Sequence, residues 1–265
     1  MEETQATPLN PALQNAEAMP LNPALQDARH KIDEWISLNV AAAELDLSYL
    51  KLTELPHLPP NLEILYCHHN RLTELPELPQ SLKKLYCGSN QLTELPELPQ
   101  SLKELYCNCN QLTKLPLLPQ GLEVLSCSSN QLTELPLLPQ SLGQLYCCDN
   151  KLTELPELPQ SLKELWCHYN QLTKLPLLLQ GLEVLSCDGN QLTELPLLPQ
   201  SLGLLYCNYN QLTKLPLLPK GLKWLGHNNN PLQYPIPEVM KKSINEIREW
   251  MSENPLNFVK SATKR

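Results

Sequence analysis

The chain of 265 residues holds 26 prolines and a single phenylalanine, and leucine dominates its apolar content. Its formal net charge is −8, and no basic run exceeds the pair Lys241–Lys242, so it lacks the basic footprint of a nucleic-acid binder. No apolar run approaches the ~20 residues that span a bilayer, and the polar start Met1–Thr7 offers no hydrophobic core for a cleaved secretory signal.

Residues 1–22 are polar and hold P-L-N-P-A-L-Q at Pro8–Gln14, a string that recurs at Pro20–Gln26. Such a segment cannot bury enough apolar surface to order itself and is expected to be disordered. Over 23–43, Leu25, Ala28, Ile32, Trp35 and Ile36 fall at helical spacing. They predict a helix that closes the N-terminal end of whatever follows.

Residues 44–232 form one periodic array. From Leu62 to Gly221 the unit L-x-x-L-x-C-x-x-N-x-L-T-x-L-P-x-L-P-x-x recurs every 20 residues without insertion or deletion. A degenerate copy precedes it (Leu45, Leu47, Leu50, Leu52) and a partial one follows (Leu222, Leu225, Asn230, Leu232). This is the leucine-rich-repeat signature at its shortest period. The fold expected is an α/β-type solenoid, a right-handed leucine-rich-repeat superhelix with short parallel strands on its concave face. Proline fixes its own φ and extends its predecessor, so the L-P-x-L-P stretch predicts an extended, polyproline-like convex side.

The columns of the repeat have separate physical reasons. The leucines at 62, 65, 72, 75 and 78, with their equivalents, point into a core shared between coils. The asparagines from Asn70 to Asn230 form a ladder that can satisfy backbone groups where the chain leaves each strand. Eight of the ten cysteines, from Cys67 to Cys207, share one inward column. Neighbours there stack at ~4.8 Å, yet parallel side chains packed in a core rarely reach the disulfide dihedral. Free buried thiols are therefore expected, with Cys109 and Cys148 outside the column facing solvent. Such thiol usage suits a reducing, cytoplasmic compartment. Residues 101–160 and 161–220 also match as 60-residue blocks, so identical columns inside them are weak evidence of function.

After the array, residues 233–254 predict a C-terminal cap helix, with Pro237 in its first turn and Met240, Ile244, Ile247 and Met251 on one face. The tail 255–265 is expected to be loose.

Candidate binding residues lie on the concave face. The residue before each column cysteine runs Tyr66, Tyr86, Tyr106, Ser126, Tyr146, Trp166, Ser186, Tyr206. Aromatic side chains in a solvent-facing row are typical binding anchors. Beside them, Glu104 and Glu164 belong to one varied column and His68 and His168 to another. The same tyrosines have a second explanation, because rings stacked across strands also stabilise a sheet. Leu117, Leu137, Leu177, Leu197 and Leu217 stand where other coils carry Glu or His, and they offer an exposed stripe for self-association or a packing surface for neighbouring prolines.

Catalytic signatures are absent: there is no phosphate loop, no G-x-S-x-G and no H-E-x-x-H. His68 and His69 splay on a strand and lack a nearby ligand set, and the Cys147–Asp149 string begins on a buried thiol. No enzyme activity, metal or cofactor is expected.

The stretch L-P-E-L-P-Q-S-L-K-E-L-Y-C-N-C-N-Q-L-T, Leu95 to Thr113, resembles the repeats of the YopM/IpaH-type effectors that bacteria inject into host cells by type III secretion. The resemblance covers roughly residues 30–235. It implies a virulence-associated scaffold or adaptor that binds host proteins after delivery into host cytoplasm. In the IpaH branch the repeats select substrates for a following ubiquitin-ligase domain with a Cys-x-Asp site. Only about 35 residues follow the repeats here, so a repeat-only member is expected. A substrate-recognition part of a ligase whose catalytic domain lies elsewhere is the alternative.

Overall fold

The computed structural model describes residues 23–37, 44–235 and 238–255. The expected disorder of 1–22, the end of the first helix beyond residue 37, Pro237 and nearly all of the expected loose tail lie outside the described residues.

Each L-x-C segment is too short for more than three strand residues, so the sheet is built from ten three-residue strands. These are β1 (Glu44–Asp46), β2 (Ile64–Tyr66), β3 (Lys84–Tyr86), β4 (Glu104–Tyr106), β5 (Val124–Ser126), β6 (Gln144–Tyr146), β7 (Glu164–Trp166), β8 (Val184–Ser186), β9 (Leu204–Tyr206) and β10 (Trp224–Gly226). They pair in parallel and in chain order, with register offsets of one repeat such as Leu65 on Leu85 and Leu85 on Leu105. The central leucine of every strand from β1 to β9 is buried, and its two neighbours lie on the opposite face. No helix interrupts the run from β1 to β10, because the return path is the extended L-P-x-L-P stretch. The core is one continuous stack of leucines with the eight column cysteines inside it.

The turn out of each strand is where the fold is held. The residue before every ladder asparagine is left-handed: His69, Ser89, Cys109, Ser129, Asp149, Tyr169, Tyr209 and Asn229 have φ between 52° and 57°. Gly189 is the only one of these positions that avoids the Cβ penalty of that conformation. The asparagine offsets the penalty. Asn130 Oδ1 accepts a hydrogen bond from Leu112 N at 2.9 Å, and its Nδ2 donates to Cys127 O at 3.0 Å and to Cys107 O of the preceding coil at 3.1 Å. One amide thus satisfies backbone groups in two coils, and the same pattern runs from Asn70 to Asn230. A second ladder was not singled out in the sequence: Ser81, Ser101, Ser141, Ser161 and Ser201 each donate their hydroxyl to the leucine carbonyl 19 residues earlier, as Ser101 does to Leu82 at 2.7 Å.

The helices at the ends depart in detail from expectation. In α1 (Pro23–Ser37), Leu25, Ala28 and Ile32 are buried and Trp35 is half-buried, but Ile36 is exposed, one position round the helix from the contact face. The single C-terminal helix expected through Met240 is two elements, a 3-10 turn (Val239–Lys241) and α2 (Ile244–Glu253). The break has a local cause. Ser243 and Glu246 form a capping box, with Ser243 N donating to Glu246 Oε2 at 3.0 Å, so the helix starts there. Met240, Ile247 and Met251 are buried together with the last coils, while Ile244 is only half-buried.

The cysteine column is fully buried and free of disulfides, and burial pushes the thiols of Cys67 and Cys107 up to about 12. Cys109 is exposed, as expected. Cys148 is not: it is buried, its short side chain folding onto the next strand so that Sγ–H donates to Trp166 O at 3.3 Å. Burial is the largest cause of its raised pKa.

Two measurements follow from this packing. At pH 8 under native conditions a thiol reagent labels one cysteine per chain rapidly, Cys109; equally rapid labelling of Cys148 would contradict its burial. Asn130→Ala leaves four backbone groups without their partner and lowers stability in denaturant melts by ~1–3 kcal/mol. Asn230→Ala costs less, because its amide is only half-buried and water replaces it. Equal losses at the two positions would argue against the ladder as the source.

Candidate concave-face interaction site

The row before the cysteines stands on the face opposite the core, half-buried because each ring lies against the next. Tyr66, Tyr86 and Tyr106 stack nearly flat, with centroids 4.6 and 4.5 Å apart. Ser126 interrupts the stack. Beyond it, Tyr146 and Trp166 are 6.3 Å apart, Trp166 and Tyr206 6.2 Å, and Tyr206 and Trp224 6.2 Å. Trp166 and Tyr206 are two coils apart, so they lean over Ser186, which is only 3% exposed.

Carboxylates fix the rings in place. Glu104 Oε2 accepts from Tyr86 Oη at 3.1 Å, and its other oxygen pairs with Lys84 Nζ at 2.9 Å. Glu164 Oε2 accepts from Tyr146 Oη at 3.0 Å and from Trp166 Nε1 at 3.1 Å, while Oε1 accepts from Gln144 Nε2 at 3.1 Å. Burial first, then the hydrogen bond to Glu164, pushes the Tyr146 phenol up to about 12. Both Glu104 and Glu164 are therefore positioning groups for aromatics as much as surface charges.

The expected residues fall into two groups with Ser126 between them. Tyr66, Tyr86, Tyr106, Glu104 and His68 make the N-terminal group, and Tyr146, Trp166, Tyr206, Glu164 and His168 the C-terminal one. His68 sits edge-on to Tyr49 at 5.4 Å and to Tyr66 at 6.1 Å, and burial is the largest cause of its lowered pKa. His168 is edge-on to Trp166 at 6.2 Å, and its Nδ1 shares a hydrogen bond with Ser186 Oγ at 3.2 Å. Three exposed aromatics escaped the sequence reading: Tyr49, Tyr169 and Tyr209, all in the left-handed column, the last two directly before a ladder asparagine. Their signal was the aromatic character of a column that otherwise holds small or polar residues.

Consecutive coils also align Cys148, His168 and Asp188, a thiol, an imidazole and a carboxylate in order. They are not wired as a relay. The thiol turns to a backbone carbonyl, the imidazole Nδ1 to Ser186, and Asp188 accepts from Asn208 N at 2.6 Å and from its Nδ2 at 2.9 Å. Among the described residues no group of three His, Cys, Asp or Glu side chains could hold a metal ion, and no helix is long and apolar enough to cross a membrane.

The five leucines at the L-P-L-L positions are exposed on the outer side, from 57% at Leu217 to 87% at Leu117. They do not pack down against neighbouring prolines.

The chain matches the family model of leucine-rich repeats, two copies, over residues 60–100 and 80–120. No curated protein sequence matches it. Among solved structures it is similar to YopM, the leucine-rich effector protein of Yersinia pestis, at 38% identity and a TM-score of 0.69, over 81% of this chain and 68% of that one. YopM of Yersinia enterocolitica WA-314 aligns at 38% identity and a TM-score of 0.63, over 69% of this chain, which spans only 45% of that protein. The leucine-rich-repeat domain of a Shigella effector aligns at 36% identity and a TM-score of 0.60, over 64% of this chain and 80% of that one. With its 20-residue coils, helix-free return path and these relatives, the chain belongs to the YopM/IpaH-type family of bacterial leucine-rich-repeat effectors.

Proposed function

We propose that the chain is a protein-interaction scaffold acting on host proteins, and that it binds them through the concave aromatic row. One observation carries this reading: six aromatic rings stand on the solvent side of the sheet, held in fixed rotamers by stacking and by Glu104 and Glu164. Rings held this way lose little conformational freedom on binding and present large contact areas, the two properties that make binding anchors. Kinship with effectors of Yersinia and Shigella supports the host-directed part of the reading.

The decisive comparison is the double variant Trp166→Ala, Tyr146→Ala. Capture of proteins from host-cell lysate falls by about thirtyfold in affinity, the equivalent of ~2 kcal/mol at a binding anchor. Thermal melts run in parallel separate the two explanations of the row. Lost capture with a melt close to wild type supports binding, whereas a large drop in melting temperature assigns the rings to sheet stability.

The exposed leucines favour a second, compatible reading, a homodimer. In an antiparallel arrangement Leu137 of one protomer faces Leu177 of its partner and Leu117 faces Leu197. The same operation sets Lys114 opposite Glu194 and Glu134 opposite Lys174, so most of the apolar and charged columns match together; on the axis Glu154 and Glu157 each meet their own kind, and Leu217 meets Glu97. Sedimentation equilibrium gives a concentration-dependent dimer that Leu137→Glu abolishes without changing the melt. A monomer at every concentration up to ~1 mM, a Kd worth only about 4 kcal/mol, would dismiss it.

A further inference from the structure

The two serines of the aromatic row are identical in local sequence and opposite in state. Gly121–Cys127 and Gly181–Cys187 read the same, G-L-E-V-L-S-C. Above Ser186 the flanking rings close, with Trp166 and Tyr206 in contact at 6.2 Å. Above Ser126 they do not: among the described residues Tyr106 and Tyr146 make no ring contact, and Ser126 stays half-exposed. The difference lies in the preceding coil. Trp166 carries the larger indole across two coils, and its counterpart in the other 60-residue block is Tyr106, whose phenol does not reach.

What remains is a slot one ring thick. Successive rings of the flat stack are 4.5–4.6 Å apart, and two strand spacings separate Tyr106 from Tyr146, about 9 Å. One face of Tyr106 is covered by Tyr86, and among the described residues no ring stacks on the other. The Ser126 hydroxyl at the floor has no hydrogen-bond partner among the described residues, whereas that of Ser186 is bound to His168. The charge is acidic. Glu164, bonded to the Tyr146 wall, has no cationic partner among the described residues, and Glu104 stands on the Tyr106 strand with Lys84 as its single counter-ion.

We propose that this slot is a recognition site for an arginine side chain of the protein partner. The inference rests on the concave-face reading and narrows it. A guanidinium is planar, stacks on aromatic faces, keeps its charge at all relevant pH values and donates in its plane. It fills the missing ring position between Tyr106 and Tyr146, donates to the free Ser126 hydroxyl, and meets the carboxylate field of Glu164. An ammonium has the charge without the plane, and a neutral aromatic ring has the plane without the charge.

The probe is Nα-acetylarginine methylamide, titrated into the full chain while ring signals of Tyr106 and Tyr146 are followed by NMR. Wild type shows saturable shifts, and the lysine and phenylalanine counterparts bind at least about fivefold more weakly, roughly 1 kcal/mol. Two variants remove the slot and keep the fold. Ser126→Tyr supplies the missing ring at a position where the stack already accepts tyrosine, and Tyr106→Trp repeats the closure seen over Ser186. Both abolish the shifts with melts close to wild type. Unchanged arginine binding in both variants, equal binding of lysine or phenylalanine, or no saturable shift in wild type overturns the proposal. Should arginine fail while the Trp166→Ala, Tyr146→Ala variant still loses its partner, the slot is refuted and the concave binding face stands.

Discussion

Each coil from Asn70 to Asn230 depends on one asparagine amide, buried at every position but Asn90 and Asn230. A 20-residue coil must turn out of its strand within a few residues, and it does so by placing a residue in the left-handed region. For a side chain other than glycine this costs about 1–2 kcal/mol, and eight of the nine coils accept it. The asparagine that follows reaches three carbonyls and one amide N–H, and two of those four groups belong to the preceding coil. The turn and the inter-coil contact are therefore one interaction. A single coil gains little from it, since half of the bonds need a neighbour, and this makes stability a property of the array. It also explains why the strands are short: the chain leaves the sheet as soon as the amide can catch it.

The periodic columns were legible in sequence because each repeats a demand that one coil imposes on the next. Leucine, cysteine and asparagine recur at fixed positions, and their burial follows from the period alone. The departures are instructive. Cys148 lies outside the buried column, yet it is covered because its thiol folds onto the carbonyl of Trp166, a residue 18 positions later. Ile36 fits the helical stripe but sits just past the edge of what the first coil covers. At the other end, Ser243 and Glu246 spell a capping signal that competes with the apolar spacing from Met240, and the cap prevails. In the first two cases a pattern read along the chain met a constraint acting across it; in the third, two local signals competed.

The candidate site divides along the same line. That an aromatic row faces the concave side could be read from strand alternation, and so could its residues. Which rings touch could not. Glu104 and Glu164 looked like members of a variable surface column, but they hold the hydroxyls and the indole N–H of the row in place. Tyr49, Tyr169 and Tyr209 were invisible to a reading that treated their column as a turn.

In a solenoid the environment of a residue is set by positions one period before and after it, more than by its neighbours in sequence. The two G-L-E-V-L-S-C segments make the case: identical locally, they differ in exposure because one is preceded by Tyr106 and the other by Trp166 a full coil earlier. Block duplication copies a surface together with its core, so a new binding property arises only where the copies have since diverged at a position that touches the next coil. Tyr106 and Trp166 form such a pair. A change from tyrosine to tryptophan leaves the leucine stack, the thiol column and the asparagine ladder untouched, because all three lie on the other side of the sheet. The fold is thereby insulated from alterations of its concave face, which is the physical condition for an array of near-identical coils to acquire a specific site.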